Sequence, residues 1–203
     1  REKVLKAAQE LGYVASSSAY TLATGRSKNI GVVMPFIDRW YFSSVLDGAV
    51  NAMVLQPDGK IIIGGSFTSF NGAPVGRLIR LNVDGSRDSS FDTSVAVGSG
   101  IIYGLALQAD GRLLVVGSFT KYNETTVNRI ARLLPNGTLD SSFVTGTAAT
   151  STIDDVVIGA DGKIVLSGTF TSFNGNSSYS KLVRLHSNGS IDTSFSIGAG
   201  FDD

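Results

Sequence analysis

Polar and apolar residues follow one order three times between about residue 49 and the last residue of this chain. In each copy an apolar segment precedes an Asp-Gly pair, a second apolar segment follows it, and a third segment alternates charged and apolar residues. Short apolar runs between turn residues predict strands, and alternation at period two predicts a strand with one buried and one solvated face. The second segments cover residues 61–63, 113–116 and 164–166, and the third cover 77–81, 129–133 and 181–185.

The spacing of identical residues shows that these copies are a tandem repeat. The aspartates of the Asp-Gly pairs, Asp58, Asp110 and Asp161, lie 52 and 51 residues apart. An arginine and a phenylalanine recur at a spacing of 52 residues; they are Arg80, Arg132 and Arg184, and Phe91, Phe143 and Phe195. Because several residue types agree on one spacing, we predict three repeats at about 49–99, 100–151 and 152–203.

Turn residues divide each copy into four predicted strands. The Asp-Gly pair suits a two-residue hairpin turn, since glycine adopts positive φ without strain. A second turn precedes a short segment that ends at the recurring phenylalanine; it lies at Asp84-Gly85, Asn136-Gly137 and Asn188-Gly189. Four antiparallel strands in about 40–50 residues match a propeller blade, and a β-solenoid is the alternative. The predicted fold is mainly β, with three four-stranded blades of an incomplete propeller after a short α/β segment.

The repeats resemble a known family. The run Leu-Gln-Pro-Asp-Gly-Lys at 55–60 and the later Arg-Leu-Ile-Arg-Leu at 77–81 resemble the delta-60 repeat of bacterial surface and secreted proteins. The resemblance implies a β-propeller module without enzymatic activity, and it implies no particular ligand.

Residues 1–48 follow a different pattern. Val4, Ala7, Ala8 and Leu11 share one helical face before Gly12, which predicts a short amphipathic helix. A second short helix is predicted at 17–24, a buried strand at 30–35 and the start of another helix at 41–48. We therefore predict a separate domain at 1–48 and the repeats at 49–203.

The N-terminal segment resembles the hinge region of LacI/GalR-type transcriptional repressors. The resemblance rests on the continuous run from Leu11 to Pro35, which begins Leu-Gly-Tyr-Val-Ala. In that family a hinge-helix leucine wedges into the DNA minor groove, which implies a DNA-binding role for Leu22 and for the small Ala19. The recognition helix would precede Arg1, so we expect DNA binding only in a completed protein. Asp47 to Val50 satisfies both patterns, and we expect a fragment or a chimera joined there.

Composition narrows the classes of function. The formal net charge is zero, so charge indicates no nucleic-acid partner. Cysteine is absent, which excludes a disulfide framework and a thiolate metal site. No apolar run approaches the roughly 18–20 residues of a membrane span. We expect no cofactor, and the sequence does not select a compartment: the repeats suggest the cell surface or secretion, and the N-terminal segment suggests the cytoplasm.

The recurring second aromatic residue is the candidate ligand-binding position. Phe70, Tyr122 and Phe173 follow the second strand at the same place in each copy. Aromatic rings at such positions stack on sugars or anchor a protein partner, and packing between blades is the alternative. We therefore name a protein or a carbohydrate as the expected partner of the repeats.

Polar chemistry offers few catalytic candidates. His186 is the single histidine and has no histidine counterpart in the other copies, so we predict an ordinary strand-end residue. Asp84 and Asp88 carry oxygen ligands for calcium, but we expect a turn role for the first and an ion pair with Arg80 for the second. No nucleophile, base and orienting group share a spacing, and we expect no enzyme and no metal site.

Two functions from different classes follow. The first is a structural or interaction module of propeller type, from a bacterial surface or secreted protein. The second is a LacI-type transcriptional regulator. Three blades do not close a propeller, which needs about four to eight. We therefore expect self-association through open blade edges.

Overall fold

The structure of this protein is a computed structural model that describes residues 46–91, 97, 99–196 and 198. Strands are the only regular secondary structure in this part of the chain, and it contains no helix. The helices and the strand predicted within residues 1–45 lie outside the described residues, as does most of the helix predicted at 41–48.

Each repeat contributes one three-stranded antiparallel sheet, with strand orders β1-β2-β5, β6-β7-β10 and β11-β12-β13. Two-stranded hairpins, β3-β4 and β8-β9, accompany the first two sheets. We call the sheets with their loops the first, second and third blade. The strands are β1 (Val50–Leu55), β2 (Ile61–Gly65), β3 (Ser69–Phe70), β4 (Ala73–Pro74), β5 (Leu78–Leu81), β6 (Ile102–Leu107), β7 (Leu113–Gly117), β8 (Lys121–Tyr122), β9 (Thr125–Thr126), β10 (Ile130–Leu133), β11 (Ile153–Ile158), β12 (Ile164–Gly168) and β13 (Leu182–Leu185).

The first strand of every blade carries an irregularity at the same place. In β1 the register with β2 shifts between Val50 and Ala52. The register shifts at the corresponding positions of β6, between Ile102 and Gly104, and of β11. Such bulges bend a strand and increase its twist, so the three blades share one backbone geometry.

The turn after the first strand is longer than the predicted two-residue hairpin. Gln56 N donates to Lys60 O at 2.8 Å, and Gly59 N donates to Gln56 O at 2.9 Å. Three residues therefore form the loop, and Gly59 adopts a φ of 83°. A three-residue hairpin loop combines a type I turn with a left-handed residue, and Pro57 favours the first turn position. The glycine is needed as predicted, but in a different turn.

In the first two blades, neither face of the third strand is exposed to solvent. Leu78, Ile79, Arg80 and Leu81 are all buried in β5, and β10 is buried in the same way. The prediction of a solvated face is wrong for these two strands. A charged residue in an alternating strand normally faces water, but Arg80 faces a buried carboxylate. Only β13, in the third blade, is partly exposed along its length.

The fourth predicted strand is present as a single antiparallel bridge in each blade. Leu81 bridges Arg87, Leu133 bridges Leu139 and Leu185 bridges Ile191. At the next residue the chain turns again around Asp88, whose carboxylate accepts from Ser90 N at 2.9 Å. This second turn leaves too little extended chain for a longer strand.

The hydrophobic core lies between successive blades. Ile62 and Leu78 of the first blade pack with Leu113 and Val115 of the second. Leu114 and Ile130, on the other side of the second blade, pack with residues of the third. We call the side of a blade that faces the following blade its leading face and the opposite side its trailing face. This side-by-side stacking of small antiparallel sheets confirms the predicted fold, mainly β and propeller-like without closure among the described residues.

Candidate functional site

A buried arginine–aspartate pair holds the end of each sheet to the loop that follows it. Arg80 Nε donates to Asp88 Oδ2 at 2.9 Å, and Lys60 Nζ donates to the same oxygen at 2.8 Å. Ser90 Oγ donates to Asp88 Oδ1 at 2.6 Å. The guanidinium carbon of Arg80 lies 4.6 Å from the centre of the Phe91 ring, a cation–π distance. The predicted ion pair is therefore confirmed, and its carboxylate has partners on both oxygens.

The other two blades repeat this cluster. Nε of Arg132 lies 2.8 Å from Asp140 Oδ2, and Nε of Arg184 lies 2.8 Å from Asp192 Oδ2. The phenylalanines again lie beneath the guanidinium groups, at 4.6 Å for Phe143. We call the recurring arginine, aspartate and phenylalanine the clamp of a blade.

The partners of the clamp aspartates keep these carboxyl groups ionised. Hydrogen bonds from Lys60 and then Ser90 hold the pKa of Asp88 well below its usual range. For Asp140, burial alone raises the pKa, but hydrogen bonds from Ser142 and the charge of Arg132 outweigh it and the pKa is lowered. A carboxylate fixed in this way is a structural anion, without the shared or raised pKa of a general acid.

The clamp arginine also bonds each blade to the next. Arg80 Nη1 donates to the carbonyl oxygen of Pro135 at 2.6 Å, although the two residues are 55 positions apart. Arg132 Nη1 donates to the carbonyl oxygen of Ser187, again 55 positions ahead. The acceptors occupy equivalent turns of the second and third blades. One arginine thus fixes both the loop of its own blade and the position of the following blade.

The leading face is more exposed in the third blade than in the first two. Ile62 and Leu78 are 1% and 0% exposed on the leading face of the first blade, and Leu114 and Ile130 are equally buried on that of the second. The equivalent Val165 and Leu182 are only half-buried. Val157, on the same face of β11, is 56% exposed. Among the described residues, the leading face of the third blade is therefore less buried than those of the first two.

A shallow groove of about 340 Å³ crosses the second blade beside β9 and β10. Hydroxyl and amide groups of Thr125, Thr126, Ser141 and Asn128 line it. Its volume falls within the range of small-ligand sites, roughly 300–1,000 Å³. Apolar side chains, among them Val127, Leu139 and Val144, line it as well, so the lining is mixed.

Comparison with protein families matches three segments of the chain to one family, described as "Domain of unknown function (DUF5122) beta-propeller". The segments are residues 56–91, 108–143 and 159–195, one in each blade and together more than half of the chain. The chain belongs to this β-propeller repeat family. Each matched segment of DUF5122 runs from the first turn of a blade to its clamp phenylalanine, Phe91, Phe143 or Phe195.

Two further likenesses are partial. The HTH-type transcriptional regulator GntR of Pseudomonas aeruginosa is 39% identical over 66 residues, which are 32% of this chain and 19% of that protein. The chain thus spans about a fifth of the length of this relative. A crystal structure of a protein of unknown function from Bacteroides caccae matches with a TM-score of 0.38 at 12% identity, covering 70% of this chain and 65% of the other.

The aromatic residues proposed as ligand contacts lie in the core of the DUF5122 blades. Phe70 is 3% exposed, and Tyr122 and Phe173 are fully buried. The Tyr122 hydroxyl donates to the carbonyl oxygen of Gly137 at 2.6 Å, which satisfies its polar end. Because no ring face reaches the surface, these residues support the alternative interpretation, packing between blades, over stacking on a sugar.

The other polar candidates have structural surroundings. Asp84 accepts from Ser86 N at 2.9 Å, as predicted for a turn residue, and Asp88 faces two cations. No cluster of three metal-binding side chains occurs among the described residues. His186 lies at the end of β13 with Nε2 3.9 Å from Asp192 Oδ1, half exposed. None of these groups forms a catalytic arrangement with a neighbour in the described part of the chain.

The remaining predictions concern DNA binding and membrane spans. Ala19 and Leu22, the DNA-binding candidates, lie outside the described residues. Among residues that are described, none forms a helix with the length and apolarity that crossing a membrane requires.

Sequence reasoning missed the bonds between blades and the greater exposure of the third leading face. The recurring arginine was visible, but its second acceptor is a backbone carbonyl whose residue is Pro135 in one blade and Ser187 in the next. A backbone acceptor leaves no residue type to detect. The leading face of the third blade has smaller and more polar residues than the first two copies, and this difference could be detected in the sequence.

Proposed function

We propose that these DUF5122 repeats form a non-catalytic module that binds a protein or a carbohydrate, with the blades as a rigid support. The observation that carries the proposal is the clamp. Its recurring charged residues, which are the strongest candidates for chemistry in the sequence, are bound to one another and to the next blade. Their role is to position blades, so function falls to the surfaces that the blades present.

We place a small ligand in the groove of the second blade. Thr125 and Thr126 form β9 and are exposed, so their hydroxyls are open to hydrogen bonding. The equivalent strand of the first blade holds Ala73 and Pro74, which lack such groups. The first blade therefore lacks the hydroxyl groups that line the groove of the second.

The test is retention of the full chain on immobilised bacterial and plant polysaccharides and on peptide arrays, with product release assayed in parallel. We expect binding without product. The variant Thr126→Lys should weaken retention at the groove, whereas Thr193→Lys, at an exposed turn of the third blade, should not. Release of a cleaved product would overturn the non-catalytic assignment. A folded chain that binds no member of either panel would overturn the binding role.

DNA binding is the second candidate, supported by the 66-residue likeness to a transcriptional regulator of Pseudomonas aeruginosa. A mobility-shift assay at physiological salt distinguishes the two functions. Sequence-specific retention of DNA would favour the regulator, and only salt-sensitive, non-specific retention would reject it.

A further inference from the structure

Four asparagines of the blades stand directly before a glycine, where the main-chain nitrogen of the next residue can attack the side-chain amide. Glycine has no Cβ to hinder this nitrogen, and asparagine is among the thermolabile residues of proteins. The attack needs two free groups: an amide carbon that can turn towards the nitrogen, and a nitrogen that no hydrogen bond holds. The four pairs begin at Asn71, Asn136, Asn174 and Asn188.

The pairs that begin at Asn136 and Asn188 are blocked at both groups. Gly137 N donates to the carbonyl oxygen of Leu134 at 2.9 Å, and Asn136 Oδ1 accepts from Thr138 Oγ1 at 2.7 Å. Asn188 and its glycine make the equivalent two bonds, at 2.8 and 2.9 Å. Attack in these turns requires both hydrogen bonds to break first, so the turns protect their amides.

The pairs that begin at Asn71 and Asn174 share one backbone geometry. Both asparagines have a φ of 51°, and both following glycines have a φ of 74°. All four residues are exposed, and no atom lies within 4 Å of a Cβ built on either glycine. Within the described part of the chain, neither glycine nitrogen donates a hydrogen bond. The nitrogen is therefore equally accessible in the two pairs.

The two asparagines differ in what holds the side-chain amide. Asn174 Oδ1 accepts from Ala148 N at 2.9 Å and from Thr147 Oγ1 at 3.4 Å. Among the described residues, the side chain of Asn71 forms no hydrogen bond. Only the pair at Asn71 therefore has both groups free.

We propose that Asn71 is a site of spontaneous deamidation, selected from the four pairs by these hydrogen bonds. Gly72 N loses its proton to a base in solution and attacks Asn71 Cγ. The new N–Cγ bond closes a succinimide ring, and the Cγ–Nδ2 bond breaks with release of ammonia. Water then opens the ring at either carbonyl carbon, which gives aspartate or isoaspartate. One water is consumed and one ammonia is released, with no oxidation or reduction.

Isoaspartate at this position alters the hairpin β3-β4, because it adds one carbon atom to the main chain of a two-residue turn. Phe70 pairs with Ala73 across that turn and also bridges Leu46. The length of a hairpin loop sets the register of its strands, so the longer main chain should break the pairing of Phe70 with Ala73. The aspartate product keeps the main-chain length and adds one negative charge to the exposed turn.

The experiment follows the folded full chain in mildly alkaline buffer by tryptic digestion and mass spectrometry. The amide of Asn71 should be lost about tenfold faster than that of Asn174, the factor that one hydrogen bond supplies. Asn136 and Asn188 should react more slowly still. A sample digested at time zero corrects for loss during digestion. Trypsin places the four asparagines in separate peptides, 61–77, 133–163, 164–181 and 185–203.

The same incubation in guanidinium chloride is the control, because it removes the fold and keeps the sequence. Each pair is Asn-Gly, so the four rates should converge in the unfolded chain. Equal rates at Asn71 and Asn174 in the folded chain would overturn the proposal. Earlier loss at Asn136 or Asn188 than at Asn71 would overturn it as well.

Variants separate the modification from its effect on the hairpin. Asn71→Gly removes the reactive amide and suits a left-handed turn. An isoaspartate-specific methyltransferase should label the aged wild-type chain and leave aged Asn71→Gly nearly unlabelled, whereas Asn174→Gly, the matched control, should be labelled like the wild type. Equal labelling of Asn71→Gly and the wild type would place the isoaspartate elsewhere and reject the site.

Melting temperatures test the effect of the extra main-chain carbon. The aged wild-type chain should melt at a lower temperature than the fresh chain, and aged Asn71→Gly should not. Fresh Asn71→Asp carries the charge without the extra carbon, so it should melt close to the fresh wild type. An equal loss in Asn71→Asp would show that charge, and not the altered main chain, disturbs the hairpin.

Discussion

Arg80 Nη1 lies 2.6 Å from the carbonyl oxygen of Pro135, so a side chain of the first blade is bonded directly to a turn of the second. The same guanidinium donates through Nε to Asp88 in its own blade. Folding of the loop within a blade and docking of the next blade thus depend on one residue. Arg132 repeats this arrangement towards the third blade, and within the described part of the chain Arg184 bonds to Asp192 of its own blade.

Replacing a clamp arginine by lysine should therefore cost more in the second blade than in the third. Arg132→Lys keeps the charge but loses the planar group that bonds Asp140, Ser142 and Ser187 together. We expect the free energy of unfolding to fall by about 2–3 kcal/mol, from charged hydrogen bonds that lysine cannot replace. Arg184→Lys should show a smaller loss, since the described residues include no acceptor for Arg184 in another blade. Urea denaturation followed by circular dichroism measures both, and equal losses would contradict the coupling between blades.

The repeat and the order of its strands could be predicted from the sequence because both are local patterns. Alternating Leu78 to Leu81 and the apolar residues after Asp58 gave the strands that the structure contains. The pairing of Arg80 with Asp88 was also predictable, since eight residues and one turn separate them.

The burial of Arg80 was not predictable in the same way. The alternating pattern predicts that a charged residue faces solvent. Arg80 instead contacts Pro135, which belongs to the next repeat. The ligand role suggested for Phe70 and Tyr122 was open for a related reason: periodicity shows that an aromatic residue recurs but not which face of a blade it occupies. Contacts that join distant repeats through backbone atoms leave no mark at the residue level.

Stability should fall in acid because the clamp carboxylates have lowered pKa values in the folded chain. Hydrogen bonds from Lys60 lower that of Asp88, and Ser142 and Arg132 lower that of Asp140 against the effect of burial. An aspartate in the unfolded chain titrates near pH ~3.9. The contribution of these groups is complete above that pH and is lost as the pH falls towards their folded values. The free energy of unfolding should be nearly constant above about pH 5 and decline below about pH 4.

Urea denaturation at a series of pH values checks this expectation. Asp140→Asn removes one of the titrating groups, so its stability should be lower near neutrality and should decline less steeply in acid. An unchanged slope in this variant would show that other carboxyl groups control the acid transition.

The hairpin of the second blade contains a strained residue that the other blades avoid. Glu124 has a φ of 65°, and the matching residues are Gly72 and Gly175, each with a φ of 74°. The left-handed region costs a residue with a side chain roughly 1–2 kcal/mol. The ion pair of Glu124 with Lys121 is exposed and long, 3.4 Å, so it offsets little of this cost.

Glu124→Gly should therefore raise the free energy of unfolding by about 0.5–1 kcal/mol. Gly72→Glu is the reciprocal change, and it should lower stability by a similar amount, since no atom lies within 4 Å of a Cβ built there and only the backbone strain differs. Thermal denaturation of the two variants and the double variant measures the effect. Destabilisation by Glu124→Gly would show that the glutamate side chain contributes more than its ion pair indicates.

Gly117 is required for a different reason, the close approach of a neighbouring strand. A Cβ atom at this position would overlap the carbonyl oxygen of Ile101, which accepts from Ser118 N at 2.9 Å. Gly117→Ala should force the strands apart and lower the free energy of unfolding by about 1–3 kcal/mol, the usual cost of overpacking. Gly159→Ala is the matched control, because its Cβ would meet the movable end of the Asp161 side chain. It should change stability little, and a loss equal to that of Gly117→Ala would mean that adding a side chain anywhere in these blades is costly. Urea denaturation of both variants decides between general sensitivity and a specific demand for glycine beside the bulge of β6.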